Sequence, residues 1–453
     1  MHGLNDELDR LADAVVAYAR ARVQLDPVPL DGPRSPAELA VLAGETITAA
    51  GLGGEEALRL FAEVLAPACI STDHPRNLSF IPCAPTEVAM LFDLVVGASS
   101  IYAGSWLEGS GAVYAENQAL RWIADLAGLP AGAGGVFVQG GTIANLSALV
   151  AARDHARRAA DPSAARRWAI VVSPEAHSSL ASAAEVMDVE VVVAAVSKDR
   201  RLRGDAAASA LRAASDRGWT PFAVVATGGT TNLGIVDDLD SVGTAAKDAG
   251  VWFHVDGAYG AAALCAPSAR DLFVGIERAD SLSVDPHKWL FAPFDCAALL
   301  YRDPEIGRRA HTQHASYLDV LQSGDEWNPS DYAIQLTRRA RGLPLWFSLA
   351  TFGTDAYRRA VERTLEVARY AARAIGARPT LELIRPPDLS VLCFRRRGWA
   401  AEQYDEWSER LRREEFAFVT PSKVDGETVA RFAIVNPLTS ERDIDAILDT
   451  IAG

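Results

Sequence analysis

The chain has 453 residues, 49% of them hydrophobic, which is enough for a large core and for about two or three domains. Its formal net charge of −15 excludes nucleic acid as an expected partner, because polyanions bind basic surfaces. The 5 cysteines are scattered without zinc-ligand spacing, and no apolar run approaches the length of a membrane span. We therefore expect a cytoplasmic protein with reduced thiols, no metal site and no membrane segment.

Residues 1–85 predict an N-terminal helical arm. Apolar residues recur at helical spacing in MHGLNDELDRLADAVVAYARARV, which lacks the apolar core of a signal peptide. A link rich in proline and glycine, a second helical pattern and the extended stretch HPRNLSFIPCAPT follow. Since this arm has little core of its own, we expect another subunit or domain to cover it.

Residues 86–345 predict a large α/β domain. Short β-rich runs alternate with helical patterns for much of this segment: GVFVQ, WAIVVS, VEVVVAAV, FAVVAT, VWFHVD, SLSV and CAALLY. Such alternation is typical of a mostly parallel sheet, here seven-stranded, with helices on both faces and a site at the carboxyl ends of its strands. Residues 346–453 predict a smaller α+β domain, with a long helix followed by the strands LELI, LSVLCFR and ARFAIV.

The stretch VFVQGGTIANL predicts a phosphate-binding turn. Gly140 and Gly141 allow close backbone approach between a strand and a helix, and a helix N-terminus presents N–H groups to an anion. Thr142 could add a hydroxyl. The alternative is an ordinary strand–helix turn with Thr142 as the N-cap.

Asp256 ends the apolar strand VWFHVD and is followed by the small residues Gly257 and Ala258. A carboxylate in that position needs a partner, which a protonated ring nitrogen would provide, with Ala258 small enough for a flat ring to lie against it. The alternative is an aspartate that caps a helix or a turn. We expect His254, in the same strand, to be a packed core histidine that points to the opposite face.

Two further residues follow predicted strands. His177, after WAIVVS, could stack on a planar cofactor, transfer protons or be structural. Lys288 lies in the apolar stretch SVDPHKWLFAPFD, where burial of an ammonium costs several kcal/mol. An imine with an aldehyde would remove that charge, although the amine could instead extend to solvent. The four features are a lysine that can form an imine, a carboxylate, an imidazole and a phosphate-binding turn. Together they predict pyridoxal 5′-phosphate (PLP) as the cofactor.

In DPHKWL followed by FDC, in HVDGAY and in GGT-x-A-N, the chain resembles the group II PLP-dependent amino acid decarboxylases, the family of aromatic-L-amino-acid decarboxylases. The resemblance runs from HPRNLSFIP to RFAIVN. It implies a fold-type I PLP-dependent transferase-like fold, in which the arm wraps the partner of a homodimer and the active sites lie at the subunit interface. The implied reaction converts an L-amino acid, with aromatic ones favoured, to the amine and CO₂.

The resemblance also implies roles for individual residues. Lys288 is the Schiff-base lysine, Asp256 the partner of the pyridinium nitrogen, and His177 the residue that stacks on the ring and assists catalysis. The other expected cofactor contacts are Gly141, Thr142, Thr231, Ala258, Asp285 and His287. Asp285 stands where animal members have asparagine, which places an acid near the phosphate.

Tyr317, in the polar loop HASYLDVLQSGDEWNPSDY, matches a loop tyrosine that reaches the site of the neighbouring subunit. A phenol there could return a proton to Cα. Relatives with phenylalanine at this position catalyse oxidative deamination to an aldehyde, so tyrosine favours the amine. The expected substrate pocket departs from the aromatic-specific pattern and consists of Phe80, Ile81, Cys83, Tyr102, Gly104 and Leu336.

Other reactions remain as alternatives. Besides aldehyde formation, a transaminase would bind the substrate carboxylate with an arginine, for which Arg431 is a candidate, although it could be structural. A cysteine desulfurase needs an exposed loop thiol, whereas Cys393 lies in a predicted buried strand. A non-catalytic module with this fold would not need the four residues Lys288, Asp256, His177 and Tyr317 together.

Overall fold

The computed structural model describes residues 3, 5–161, 166–316, 318, 321 and 326–453. The arm contains the helices α1 (Asp6–Val23), α2 (Pro36–Ala43) and α3 (Gly54–Leu60). Asn5 caps α1 by accepting a hydrogen bond from the N–H of Leu8. Neither α1 nor α2 buries any of its residues, and Leu8, Val16, Val41 and Leu42 are exposed in a single chain.

The end of the arm is joined to the C-terminal part of the chain. Leu78 donates its N–H to the carbonyl of Phe418 and accepts from the N–H of Ala433, and its side chain is fully buried in the C-terminal core. The helices α4 (Glu87–Ala98) and α5 (Trp106–Leu126) follow and lead into the large sheet.

The strands of the large sheet are, in chain order, β1 (Gly134–Val138), β2 (Arg167–Val172), β3 (Glu190–Val193), β4 (Trp219–Thr227), β5 (Trp252–Asp256), β6 (Ser281–Val284) and β7 (Ala297–Tyr301). Within the described residues these 7 strands have the order β1-β7-β6-β5-β4-β2-β3. β7 is antiparallel to both β1 and β6, and the other pairs are parallel. The predicted mostly parallel sheet is therefore present.

Helices cover both faces of this sheet, which buries every residue of β5, β6 and β7. The helices between the strands and after β7 are α6 (Gly141–Ala159), α7 (Ser179–Met187), α8 (Gly204–Asp216), α9 (Leu239–Ala249), α10 (Pro286–Trp289) and α11 (Pro304–His311). α6 and α7 pack on one face with α11 at their side, whereas α5, α8 and α9 pack on the other. Because both faces are apolar, the polar groups of the sheet are concentrated at the strand ends.

The C-terminal part contains a second sheet. Its elements are α12 (Leu343–Phe352), α13 (Thr354–Gly376), β8 (Leu381–Leu383), β9 (Val391–Arg396), α14 (Ala401–Arg413), β10 (Ser422–Val424), β11 (Glu427–Ala433) and α15 (Glu441–Ala452). Its strands are antiparallel in the order β10-β11-β9-β8, and α13, α14 and α15 pack against them. Among the described residues, none of the helices combines the length and apolar character of a membrane span.

Candidate active site

A cavity of about 310 Å³ lies where β1, β4, β5 and β6 end. Residues from the segments after these strands and from the start of α6 and α7 form its wall: Gln139, Gly140, Gly141, Thr142, Asn145, His177, Ser179, Thr227, Gly229, Thr231, Asp256, Ala258, Tyr259, Asp285, His287, Lys288 and Phe294. Every residue for which a cofactor contact is predicted from the sequence lies in this wall. The parallel strand arrangement thus brings together side chains that are far apart in the chain.

Lys288 lies on α10, the single helical turn that follows β6, and its side chain is 24% exposed. Its Nζ is 2.9 Å from Oδ2 of Asp285, whose side chain is almost completely buried. The apolar neighbours Trp289 and Leu290 point into the core. The lysine therefore borders the cavity through its amine and does not extend freely into solvent.

Asp285 also connects the lysine to the start of α6. Its Oδ2 accepts the N–H of Gly141 at 3.1 Å, while its Oδ1 is buried without a hydrogen-bond partner among the described residues. His287 Nδ1 accepts the N–H of Cys296 at 3.0 Å. Burial lowers the pKa of His287, although the nearby Asp285 carboxylate acts in the opposite direction. The lowered pKa favours the neutral imidazole.

Asp256 is 4% exposed and accepts hydrogen bonds on both carboxylate oxygens. Oδ2 accepts from Asn145 Nδ2 at 2.9 Å, and Oδ1 accepts from the N–H of Ala258 at 3.1 Å and from Ser283 Oγ at 3.3 Å. No ion pair joins it to another described residue. These donors orient a buried anion, which can still attract a cation placed in the cavity.

The start of α6 has the features of an anion site. Its N-cap is Gly140, which provides no capping side chain, so the alternative interpretation of Thr142 as the N-cap is wrong. A Cβ on Gly141 would lie 3.0 Å from Cβ of Ala258 and 3.1 Å from Oδ2 of Asp285, so this position has no room for a side chain. The backbone of Gly141 therefore lies in the cavity wall, where its N–H donates to Asp285 Oδ2.

His177 precedes α7 and lies in the cavity wall. Its Nδ1 is 2.9 Å from Ser179 Oγ and accepts the N–H of Ser179 at 3.2 Å. These contacts fix the plane of the ring, which a residue stacked on a flat ligand requires.

Three buried polar atoms of the wall have no hydrogen-bond partner among the described residues: Gln139 Oε1, Thr227 Oγ1 and Asp285 Oδ1. Buried polar atoms are normally paired, so their position around one cavity indicates a polar ligand. Together with the anion site at α6, the buried carboxylate and the amine, they fit the predicted cofactor.

The prediction for His254 is partly wrong. The residue is fully buried, as expected, but it lies on the same face of β5 as Asp256, because side chains two positions apart in a strand share a face. His254 Nε2 is 2.9 Å from Asn145 Oδ1, and Asn145 also contacts Asp256. Asn145 belongs to the sequence motif GGT-x-A-N, but its contacts with Asp256, His254 and Ser283 span more than 100 residues and leave no local signal.

Arg431 is buried and donates hydrogen bonds to two backbone carbonyl groups. It donates to the Thr231 carbonyl from Nη2 at 2.5 Å and from Nε at 3.2 Å, and from Nη1 to the Phe80 carbonyl at 2.7 Å. These bonds support the structural alternative for Arg431 over a carboxylate clamp. Cys393 is buried as predicted, and burial raises its pKa to about 11, which disfavours the thiolate that a desulfurase needs.

The predicted substrate-pocket residues do not lie in the wall of this cavity. Tyr102 donates its hydroxyl to the Leu336 carbonyl at 3.0 Å, and a side chain on Gly104 would overlap the phenol of Tyr102. These three residues form a cluster of their own. Phe80 has a 64% exposed side chain and a φ of 54°.

Ile81 is half-buried. Cys83 is buried and donates its thiol to the Ala292 carbonyl at 3.0 Å. Tyr317 lies outside the described residues.

Comparisons with known proteins agree on one family. The model of the pyridoxal-dependent decarboxylase conserved domain matches residues 54–397. An aromatic-L-amino-acid decarboxylase from Bacillus atrophaeus is 30% identical over 416 residues, which are 89% of this chain and 86% of that protein. An L-2,4-diaminobutyrate decarboxylase from Rhizobium meliloti (strain 1021) is 30% identical over 412 residues, 86% of this chain and 80% of that protein.

A crystal structure of Oryza sativa TDC with PLP and tryptamine has the same fold. It superposes with a TM-score of 0.90 at 26% identity, and the match covers 100% of this chain and 99% of that chain.

Proposed function

Because the chain belongs to the family of pyridoxal-dependent decarboxylases and is a PLP-dependent amino acid decarboxylase, we propose that it converts an aromatic L-amino acid to its amine and CO₂. The resemblance, the fold-type I class and the PLP cofactor predicted from the sequence are confirmed by this membership. The substrate preference, the roles of single residues and the homodimer are our proposals.

The residues of the cavity divide into groups that suit the parts of PLP. Lys288 would bond to its aldehyde, Asp256 would face the ring nitrogen, and Ala258 and His177 would lie against the ring. The residues proposed near the phosphate or within the rest of the site are Gly141, Thr142, Thr231, Asp285 and His287. When bound, PLP supplies an electron sink for the pair that departing CO₂ leaves at Cα.

Asp256 provides the charge that the ring nitrogen needs. Its donors Asn145, Ala258 and Ser283 hold the carboxylate in place before any ligand arrives, so little reorganisation is needed during the reaction. Its burial excludes water that would weaken the attraction to a cation.

Asp285 holds the amine of Lys288 at the cavity. The 2.9 Å contact keeps Nζ near the site whenever the lysine is free, so the amine is ready to act again after each turnover. The same carboxylate contacts Gly141 at the anion site, which places it between the lysine and the proposed phosphate position.

We propose that Tyr317 returns the proton to Cα, with His177 nearby. The support is chemical: a phenol is a competent acid, and its loop is polar, as a segment that closes over a site would be. Tyrosine at this position favours the amine over oxidative deamination to the aldehyde.

The preference for aromatic substrates is supported by the Bacillus atrophaeus relative and by the solved structure with tryptamine. The L-2,4-diaminobutyrate decarboxylase is also 30% identical to this chain. Discrimination between aromatic and other amino acids must therefore come from the residues of the substrate pocket. Phe80 and Tyr102 offer aromatic surface, and the absence of a side chain on Gly104 allows the phenol of Tyr102 to pack directly against it.

Exposed apolar side chains support the proposed homodimer. In α4, Leu91, Leu94 and Val95 are 39%, 42% and 49% exposed, and in the arm Val41 and Ile47 are 85% and 90% exposed. An apolar area of this kind is typical of an obligate interface. We propose that the arm and α4 are covered by a second copy, which brings the cluster of Tyr102, Gly104 and Leu336 to the partner's cavity.

The observation that carries this proposal is the convergence of Lys288, Asp256 and His177 in one cavity. The test is to measure CO₂, amine and aldehyde from the PLP-loaded enzyme with each amino acid. We expect aromatic substrates to give the highest kcat/KM and the amine as product. Lys288→Ala should abolish both turnover and the absorbance of the lysine-bound cofactor, and normal turnover in that variant would refute the site.

A further inference from the structure

A directed set of hydrogen bonds joins Asp256 to His177 beneath the cavity. Asn145 Nδ2 donates to Asp256 Oδ2 at 2.9 Å and to Ser179 Oγ at 3.0 Å. Ser179 Oγ in turn lies 2.9 Å from His177 Nδ1, and the Ser179 N–H donates to the same nitrogen at 3.2 Å. The proposed function uses Asp256 and His177 but assigns nothing to Ser179.

The orientation of the Asn145 amide follows from its neighbours. A carboxylate only accepts hydrogen bonds, so Asp256 requires the NH₂ group of the amide on its side. The amide oxygen then lies 2.9 Å from His254 Nε2 and 3.0 Å from Ser283 Oγ, both of which can donate. The reverse orientation would place two acceptors against each other at Asp256.

His177 Nδ1 must be an acceptor. A backbone N–H only donates, so the nitrogen it contacts presents a lone pair. Because Ser179 Oγ accepts from Asn145, its own proton is available for the same nitrogen. Two donors converge on Nδ1, and a proton on that atom would oppose both of them.

We propose that Ser179, oriented by Asn145, is a positioning residue that fixes His177 in the tautomer with its proton on Nε2. The ring borders the cavity and therefore offers it an N–H donor and not a lone pair. His177 then donates a hydrogen bond to an oxygen of the bound ligands, and the proton for Cα comes from another group. The tautomer rests on contacts within the chain, and only its consequence for the reaction rests on the proposed function.

His254 provides an internal comparison. The oxygen of Asn145 can only accept, so His254 must also carry its proton on Nε2. Its Nδ1 is 2.8 Å from Ser281 Oγ, which accepts from Trp252 Nε1 at 2.8 Å. Burial lowers the pKa of His254 to about 4, so the ring stays neutral near neutral pH. One amide thus imposes the same tautomer on one histidine directly and on the other through Ser179.

The test is the ¹⁵N NMR spectrum of the PLP-loaded enzyme labelled at histidine, recorded without amino acid, with His177 assigned from the signal that His177→Gln removes. We expect a pyridine-type shift at Nδ1 and a pyrrole-type shift at Nε2. A pyrrole-type Nδ1 in the wild type would overturn the proposal. If no amino acid were decarboxylated, the proposed function would fail while this result stood, so the two failures are distinguishable.

Two variants test the role of Ser179 itself. Ser179→Ala leaves only the 3.2 Å amide contact, so Nδ1 should move toward the pyrrole-type shift, whereas Ser179→Thr keeps a hydroxyl and should retain the wild-type shifts. In Ser179→Ala we expect kcat to fall about tenfold with little change in KM, since one hydrogen bond of the reacting state is weakened. PLP absorbance of both variants confirms loading. Unchanged shifts in Ser179→Ala would refute the role of the hydroxyl.

Discussion

The floor of the cavity and the arm place opposite kinds of side chain in unusual environments. On the floor, Asp256, Asn145 and His254 are polar and at most 4% exposed. In the arm, Val41 and Ile47 are apolar and at least 85% exposed. Each departure from the usual distribution indicates something that the single chain does not supply. The buried polar side chains of the floor suit a polar, partly cationic ligand. The exposed apolar side chains of the arm suit the apolar surface of the proposed partner.

The cavity floor and the arm also differ in what holds their side chains in place. Asp256 and Asn145 are held by hydrogen bonds to residues of the same chain, so their geometry is established before a ligand binds. The helix α1 buries none of its residues, and in the proposed homodimer a second copy would bury more of them. Substitutions in the floor should therefore reduce catalysis, whereas substitutions on the apolar surface should first change assembly.

The largest effect is expected from Asp256→Asn, which removes the buried charge and keeps the shape. We expect kcat to fall about 10³-fold, equivalent to about 4 kcal/mol, because the cationic ring nitrogen loses its partner. Steady-state kinetics with PLP loading monitored by absorbance will measure it. Asp237→Asn is the matched control, since Asp237 is also buried and accepts from the N–H groups of Leu202 and Thr227 but, unlike Asp256, does not itself line the cavity. Equal losses in both variants would contradict a special role for Asp256.

The apolar surface is tested by Leu94→Glu in α4. A charge there would have to be buried in the proposed interface, so we expect the dimer dissociation constant to rise about 100-fold or more. Sedimentation velocity across a concentration series gives the change. Val274→Glu, at a loop position that is also exposed, should leave assembly unchanged. A Leu94→Glu protein that assembles like the wild type would place the interface elsewhere.

Tyr317→Phe tests whether the loop that contains Tyr317 connects the proposed subunit interface with the cavity. Without the phenol, Cα loses its acid, and we expect the ratio of amine to aldehyde to fall about tenfold or more. Chromatography of both products measures this ratio. Mixing this variant with Lys288→Ala should restore some amine formation through hybrid dimers if the tyrosine serves the neighbouring subunit. No restoration, with subunit exchange verified, would show that it serves its own.

The smallest effect is expected where a charged pair lies at the surface. Glu441 accepts from Arg363 Nη1 and Nη2 at 2.7 and 2.6 Å, and this hydrogen bonding lowers its pKa from 4.5 to about 2. Its stabilising effect is therefore complete above pH 4.5 and is lost as the pH falls through about 2. Glu441→Gln should lower the free energy of unfolding by about 0.5 kcal/mol at neutral pH, and the difference should shrink in acid. Urea titrations at several pH values test this, and a pH-independent difference would contradict it.

The convergence of Lys288, Asp256 and His177 could be predicted because parallel strands end at one edge of the sheet. The hydrogen bonds below them could not, since Asn145 and Asp256 are 111 positions apart and their meeting depends on the tertiary packing of α6 against β5. The face assigned to His254 was wrong for a simpler reason: its spacing from Asp256 already required the same side.

Local rules failed elsewhere for physical reasons. Threonine is a residue type that often caps helices, but α6 begins at Gly141, before Thr142, and its N-cap is Gly140. The short strand β10 has few apolar residues and, in the part of the chain that the structure describes, pairs with β11 alone, so its sequence did not predict it. The cluster of Tyr102 and Leu336 joins residues 234 positions apart, so it depends on tertiary packing and leaves no local pattern in the sequence.

The reversed strand β7 has a consequence for synthesis. β1 lies at the edge of the sheet, and within the described residues its strand partner is β7, which begins 159 residues after β1 ends. At about 5–20 residues per second, a ribosome would need roughly 8–30 s to deliver that partner. During this interval the apolar segment GGVFV has no strand partner, and it stays unpaired until Ala297–Tyr301 emerges.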